Sequence, residues 1–151
     1  MQLVVLGLNH KTVPVDIREQ FAISPDSARS GLIHLDEQEG IKEAVVLSTC
    51  TRTEIYAVLE DETAKETLYD FFLALSGNSE AKDEYFFYFE GEACIRHLFE
   101  VVSGLDSMVI GESQILNQIK TAYTMALEEK ATRTILNTLF HRAIRTGKRV
   151  R

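Results

Sequence analysis

The sequence predicts an α+β fold, in which a ferredoxin-like βαββαβ antiparallel sheet is followed by a helical extension of about three helices. Over residues 1–91, apolar runs typical of strands alternate with helical segments in the order strand, helix, strand, strand, helix, strand. Two neighbouring runs are separated only by a short polar centre, as in a hairpin. From residue 92 onward, apolar residues recur at helical spacing. We therefore expect a ferredoxin-like subdomain over 1–91 and a helical part of the same domain over 92–151.

The first elements are a buried strand, a short helical turn and a capped helix. Residues 3–8 form a continuous apolar run, which predicts a buried strand. Residues 16–21 suit a short helical turn. Ser24 and Pro25 are typical of a helix start, with a hydroxyl at the N-cap and proline at the first helical position. Gly40 is the expected C-terminal stop of that helix.

The middle of the predicted sheet is a hairpin. Residues 44–47 and 55–59 are rich in Val, Ile and Leu and flank the polar centre STCTRTE at 48–54. A second helix should end at Gly77, and the aromatic run YFFYF at 85–89 suits the last strand. The predicted sheet therefore has four strands, with the two connecting helices on one face.

The helical extension should contain three helices. The first starts at Glu92 and is broken by Gly104. The second runs from about 112 to 130, and the third begins near Thr132 or Thr134. The helical pattern is still running at the last residue, so we expect the natural protein to continue beyond it.

The charge balance gives no overall signature of a nucleic-acid-binding protein. The 151 residues include 16 Lys or Arg and 23 Asp or Glu, for a formal net charge of −7. Residues 132–151 are basic and contain no acid, and such a segment could contact RNA phosphates. The alternatives are a cation-rich last turn that complements the helix dipole, or an interface to missing downstream parts. We favour these alternatives, because no RNA-binding motif accompanies the charge.

The two cysteines, Cys50 and Cys94, lie far apart with no C-x-x-C, which argues against a disulfide framework or a zinc site. No signal-peptide pattern and no apolar stretch of membrane-spanning length are present in the sequence. We expect a cytoplasmic protein without a membrane partner.

Cys50 is the strongest candidate for chemistry, because it lies in the hairpin connection rather than in an apolar run. Arg52 would favour its nucleophilic thiolate form, or could pair in a bidentate way with a substrate carboxylate. Thr49 and Thr51 could help to position a substrate. The alternatives are a buried structural cysteine, a surface arginine paired with Glu54, and hydroxyls that bond only to their own backbone.

His97 lies on a mostly apolar helix. It could serve as an acid, a base or an orienting group, but a lone histidine in such a place is more often a satisfied structural residue. Cys94 lies one helical turn before it, and we expect Cys94 to pack in the core. Asn9 and His10 could also border the site.

Three segments resemble the N-terminal catalytic part of glutamyl-tRNA reductase. They are GLNHKTVPVDIRE at the start, STCTRTEIY at 48–56 and SGLDSMVIGESQILNQIK at 103–120. The resemblance spans essentially the whole chain. It implies that the Cys50 thiolate attacks the glutamyl-tRNA ester and forms an enzyme thioester, which is reduced to glutamate-1-semialdehyde in the first step of tetrapyrrole synthesis.

The resemblance also assigns site residues. It implies that Cys50 and His97 are catalytic, and Thr51 stands where the family usually has Asn. A glycine-flanked loop leads into a helix in the third segment, where Gln114 and Gln118 share a face, although helix capping alone would also explain the polar start. The substrate-binding residues implied are Thr49, Thr51, Arg52, Ser107, Glu112, Ser113, Gln114 and Gln118.

The hydride donor implied by the resemblance is NADPH, bound by a domain that follows this part in the family. The sequence itself has no G-x-G-x-x-G after a strand. A dimerisation domain, absent here, would make the full-length protein a homodimer, and the aminomutase that consumes the aldehyde is a candidate partner. No metal, heme or flavin is expected, since the four histidines show no ligand spacing.

Two other functions fit the same residues. A cysteine acyltransferase or thioesterase would use Cys50 and His97 without a reductase step. A non-catalytic ligand- or RNA-binding module would use the fold alone, and Cys50 would then be no more reactive than a free thiol.

Overall fold

A four-stranded antiparallel sheet forms the centre of the protein. The computed structural model describes residues 1–105 and 114–150. The strand order is β2-β3-β1-β4, and every neighbouring pair is antiparallel. This is the order of a ferredoxin-like βαββαβ sheet, so the predicted fold class is confirmed. The strands are β1 (Gln2–Asn9), β2 (Ile41–Ser48), β3 (Arg52–Leu59) and β4 (Phe87–Glu90).

Six α-helices accompany the sheet in the described ranges. The predicted helical extension is present as three helices after the last strand. None of the helices in residues 1–105 and 114–150 combines the length and apolar character needed to cross a membrane. The helices are α1 (Val15–Gln20), α2 (Pro25–Ile33), α3 (Lys65–Ser76), α4 (Glu92–Val102), α5 (Gln114–Glu128) and α6 (Thr134–Arg149).

Local capping signals predicted most helix ends correctly. The Ser24 side chain accepts a hydrogen bond from the backbone N–H of Ser27, and Pro25 opens α2 as expected. Gly77 ends α3 in the left-handed conformation, at φ 74°. The prediction that Gly40 stops α2 is wrong, because α2 ends at Ile33.

A single 3-10 turn, Leu35–Glu37, separates α2 from Gly40. It turns Leu35 into the core. Gly40 instead shapes the entry into β2. Its φ is 84°, and a Cβ atom there would lie 2.7 Å from the Cβ of Ala64.

Helices cover both faces of the sheet. The connecting helices α2 and α3 contact each other on one face, as predicted, where the bare Cα of Gly31 admits Leu75. The helical extension covers the opposite face. There the Tyr56 ring on β3 packs edge-on against Phe140 of α6, with ring centroids 5.4 Å apart. The sheet is consequently the middle layer, and its central strand β3 is buried at all eight positions.

A buried carboxylate joins the extension to the sheet. Glu43 of β2 is 3% exposed, and its Oε1 accepts hydrogen bonds from the backbone N–H groups of Arg133 at 2.7 Å and Leu136 at 2.9 Å. These are donors at the start of α6, which has no cap from its own N-cap side chain. The 1–91 and 92–151 parts therefore share an interface, and the boundary between them stays a prediction.

Candidate active site

Cys50 lies in the three-residue connection between β2 and β3, and its side chain is exposed. The connection is closed by a hydrogen bond from the backbone N–H of Thr49 to the carbonyl of Arg52, at 2.8 Å. The Thr49 hydroxyl accepts a bond from the backbone N–H of Thr51, at 3.2 Å, so it is engaged at least in part by its own turn. A tight turn thus presents the thiol at the end of two rigid strands.

Three polar side chains follow this turn on one face of β3. Side chains of a strand alternate between faces, so Arg52, Glu54 and Tyr56 lie side by side. Arg52 is 1% exposed, and its Nη1 donates to Oε2 of Glu54 at 2.8 Å. The Tyr56 hydroxyl donates to Oε1 of Glu54 at 2.7 Å. Arg52 does pair with Glu54, but in the interior rather than on the surface.

His97 of α4 completes this buried cluster. Its Nε2 lies 2.8 Å from Oε2 of Glu54, and the residue is 6% exposed. Phe87 and Phe89 of β4 flank its ring, at centroid distances of 4.9 and 5.3 Å. Tyr56 stacks with the ring at 6.5 Å, so among the described residues one carboxylate and three aromatic side chains hold His97 in place.

Glu54 is charged in this cluster. Burial alone would raise the pKa of its carboxyl group, but the hydrogen bond from His97 and the positive charge of Arg52 outweigh burial, so the pKa lies below its ordinary value. Burial and the Glu54 charge raise the pKa of Tyr56 well above 10, which keeps its hydroxyl a donor. Because an ionised carboxylate only accepts hydrogen bonds, His97 carries a proton on Nε2.

Gly7 makes room for this arrangement. It lies between Glu54 and Phe87 in the sheet register. A Cβ atom at Gly7 would approach Cγ of Glu54 and Cζ of Phe87 to 2.9 Å, and the carbonyl oxygen of Thr53 to 2.8 Å. No larger residue fits there without moving the Glu54 side chain.

Sequence reasoning missed Glu54, Tyr56 and Gly7 as parts of the site. The signal was present in the alternation R-T-E-I-Y, which places an arginine, a carboxylate and a tyrosine on one face of a strand. Cys94 packs in the core as expected, at 0% exposure. Burial, reinforced by the negative charge of Glu54, raises the pKa of its thiol to about 12.

Two clefts lie near the hairpin. One, here the His97 cleft, has a volume of about 400 Å³. The other, here the Gln118 cleft, has a volume of about 280 Å³ and brings Gln118 of α5 together with Ser48 at the end of β2. The His97 cleft includes Asn9, Lys11, Phe87, Phe89, Arg96 and His97 in its lining.

Of the remaining predicted substrate-binding residues, the structure describes only Gln114. Gln114, one turn before Gln118 on α5, is exposed. Ser107, Glu112 and Ser113 lie outside the described residues.

Within residues 1–105 and 114–150, no group of three or more His, Cys, Asp or Glu side chains is placed to bind a metal ion.

Comparisons with known proteins agree on one family. The family model described as "Glutamyl-tRNAGlu reductase, N-terminal domain" matches residues 6–151. A glutamyl-tRNA reductase of Rubrobacter xylanophilus is 47% identical over 154 residues, which cover 100% of this chain and 35% of that protein. One of Pelobacter propionicus is 45% identical, with the same coverage of each.

A solved structure is also similar. The glutamyl-tRNA reductase of Methanopyrus kandleri superposes with a TM-score of 0.80 at 33% sequence identity, covering 98% of this chain and 34% of that one. The chain therefore spans about a third of the length of the relatives that it matches.

Proposed function

The chain belongs to the family of the N-terminal domain of glutamyl-tRNA reductase, and on that premise we propose that it is the catalytic part of such an enzyme. The whole enzyme would convert glutamyl-tRNA to glutamate-1-semialdehyde, the first step of tetrapyrrole synthesis. The observation that carries the proposal is the exposed Cys50 thiol on a tight turn, next to a buried cluster that holds a histidine. Cys94, the other thiol, is enclosed by the core.

The first step is acyl transfer to sulfur. The Cys50 thiolate attacks the ester carbonyl of the glutamyl group, and a C–S bond forms. The C–O bond to the terminal ribose of the tRNA breaks, and the ribose oxygen takes up a proton. The product is a glutamyl thioester on Cys50 and free tRNA.

We propose that His97 supplies or relays the proton, and that Glu54 and Arg52 act through it. Glu54 fixes the Nε2 proton of His97 through the 2.8 Å contact, which leaves Nδ1 as the ring atom that would take up a proton and pass it on. Arg52 stabilises the Glu54 charge. We also propose that Arg52 holds a substrate carboxylate.

Glutamate would be recognised on the side of the hairpin where the Gln118 cleft lies. Gln118 offers an amide close to Ser48, within two residues of Cys50, and Gln114 extends the same helix face. Thr49 and Thr51 would contact the substrate from the turn. Ser107, Glu112 and Ser113 complete the proposed binding set.

Reduction would need parts of the enzyme beyond these 151 residues. NADPH supplies the hydride when it is bound, and the residues present here include no glycine-rich dinucleotide loop to hold it. In that reduction the thioester carbonyl would accept the hydride, the C–S bond would break, and Cys50 would be released as a thiolate. We further propose a cytoplasmic homodimer, with the aminomutase that uses the aldehyde as a partner.

A single-turnover reaction tests this proposal. The chain is mixed with glutamyl-tRNA, and its intact mass is measured alongside the Cys50→Ser and Cys94→Ser variants. We expect a glutamyl adduct and free tRNA for the parent and for Cys94→Ser, and neither for Cys50→Ser. An adduct that survives in Cys50→Ser would contradict the assignment of the nucleophile.

The rival functions give different results in the same assay. Steady release of glutamate over many turnovers, with no effect of NADPH in the full-length enzyme, would indicate a thioesterase. An intact ester together with bound tRNA would indicate a binding module.

A further inference from the structure

The His97 cleft combines features that the acyl-transfer step does not use. It lies beside the catalytic turn, because Asn9 lines it and is paired directly with Arg52 across β1 and β3. Its volume of about 400 Å³ lies within the usual range for small-ligand pockets. The cleft is thus large enough for a small organic molecule, and it lies beside the strand end at which the catalytic turn begins.

Aromatic rings form one wall of this cleft. Phe87 and Phe89 stack on each other at a centroid distance of 5.0 Å and an interplanar angle of 26°. Both side chains are only partly buried and line the cleft with His97. Such rings provide a stacking surface for a planar heterocycle, whatever its identity.

Cationic groups lie on the rim. Arg96 of α4 is exposed and lines the cleft, as does Lys11 from the turn after β1. That turn is held in place: the Oδ1 of Asn9 accepts from the backbone N–H of Lys11 at 2.9 Å, and Asn9 N–H donates to the Thr12 hydroxyl at 3.0 Å. Among the described residues that line the cleft, Glu100 is the one acid.

We propose that the His97 cleft binds a nucleotide, with its ring system on Phe87 and Phe89 and its phosphate towards Arg96. The inference rests on the proposed function, in which two nucleotides must approach the carbonyl on Cys50. One is the terminal adenosine that carries the ester, and the other is the nicotinamide nucleotide that delivers hydride. Both combine a flat ring with a sugar phosphate, which is the chemistry that this cleft offers.

Titrations of the ¹⁵N-labelled chain test the site. The probes are adenosine 5′-monophosphate, nicotinamide mononucleotide and inorganic phosphate, each to about 10 mM, where millimolar binding is measurable. We expect at least one nucleotide to shift amide signals of residues 9–12 and 87–100. Phosphate should bind about tenfold more weakly, because it lacks the stacking ring. Selective binding of the adenosine probe points to the tRNA end, and selective binding of the nicotinamide probe to the cofactor.

Two variants sharpen the test. Arg96→Gln should weaken nucleotide binding about threefold or more, whereas Arg145→Gln, the same charge change at an exposed position of α6, should leave it unchanged. Phe89→Leu should weaken the nucleotides but not phosphate. The proposal is overturned if the shifts fall outside the cleft, if phosphate binds as well as the nucleotides, or if nothing binds.

The nucleotide titrations and the single-turnover assay distinguish failure of the proposed nucleotide site from failure of the proposed function. Formation of the Cys50 adduct in the single-turnover assay, with no nucleotide shifts at the cleft, leaves acyl transfer standing and rejects the nucleotide site. Nucleotide shifts at the cleft with no adduct support the site and reject the proposed reaction.

Discussion

Glu54 is the residue on which the polar cluster depends, since Arg52, Tyr56 and His97 each place a donor on its carboxylate. Burying an ionised carboxylate is costly unless its oxygens are paired and hydrogen-bonded. Here the three donors outweigh burial and hold the Glu54 pKa below its ordinary value of 4.5. The hydrogen bonds and the ion pair of Glu54 therefore stabilise the folded state fully only at pH values where its carboxyl group is ionised.

The effect of Glu54→Gln on stability should depend on pH. A carboxyl group whose pKa is lowered by folding contributes stability that is fully present above its unfolded pKa and is lost as the pH falls towards its folded pKa. Removing the charge beside buried Arg52 should cost about 3 kcal/mol at pH 7. The gap between parent and variant should shrink below about pH 4.5.

Urea unfolding between pH 3 and 7 measures this gap. Glu66→Gln, at an exposed position of α3, is the matched control and should change the free energy of unfolding by less than about 0.5 kcal/mol. A difference between Glu54→Gln and the parent that is equal at pH 7 and pH 3.5 would show that the carboxylate charge does not stabilise the fold.

The burial of Arg52 could not be predicted from its neighbours in sequence. The position of Arg52, two residues after Cys50, suggests an exposed turn residue, and an arginine with a carboxylate two residues further along the chain is common on protein surfaces. Arg52 is buried together with Glu54, and Glu54 is bound by His97, which lies 43 residues from it in the chain. The exposed cysteine, in contrast, followed from a local pattern, because a polar centre between two apolar runs must form the turn.

At the scale of elements, the sequence predicted a helix end correctly where a residue within the same turn determines that end. Ser24 and Pro25 start α2, and Gly77 ends α3, through interactions within a single turn. The prediction that Gly40 ends α2 was wrong because a glycine with positive φ suits a helix end and a turn into a strand equally well. The capping of α6 by Glu43 has no sequence signal, since its partners lie some 90 residues away.

Glu43→Gln should destabilise α6 and the interface that it anchors. The amide oxygen of Gln can still accept both bonds, but the substitution removes the negative charge that favours a helix N-terminus. The NH2 group of the Gln side chain, itself a donor, would also be buried beside the two backbone N–H donors. We expect a loss of about 1–3 kcal/mol in the free energy of unfolding.

Chemical denaturation measures this loss, and amide hydrogen exchange locates it. Exchange should accelerate first in the opening turn of α6. Glu37→Gln, at an exposed position before β2, is the control for removing an acid. Equal stabilities of Glu43→Gln and Glu37→Gln would mean that the buried cap contributes nothing to the fold.

At the scale of the whole molecule, the order of elements was enough to predict the sheet. It did not predict that the helical extension would cover the second face of that sheet. The pattern strand, helix, strand, strand, helix, strand leaves few topologies. The continuous apolar run at 55–59 carried the missing information, because a strand that is apolar at successive positions is buried on both faces. It implied that the extension lies on the sheet rather than beside it.

The two predicted parts should consequently fold as one unit, and residues 1–91 alone should not reach a native state. Removing the extension uncovers the face of the sheet that carries Tyr56. Each large side chain on it contributes about 1.5–3 kcal/mol when buried, and together they rival the roughly 5–15 kcal/mol by which a domain is stable. The apolar side chains concerned are Val5, Val45, Leu47, Tyr56 and Val58.

Comparison of residues 1–91 with the intact chain tests this cooperativity. We expect the fragment to bind a hydrophobic dye and to give poorly dispersed amide NMR signals, because its exposed sheet face has no cover. The intact chain should unfold in a single transition, with coincident curves from far-ultraviolet circular dichroism and tyrosine fluorescence. A fragment that unfolds cooperatively with dispersed signals would establish 1–91 as an independent domain. The extension would then serve the site rather than the fold.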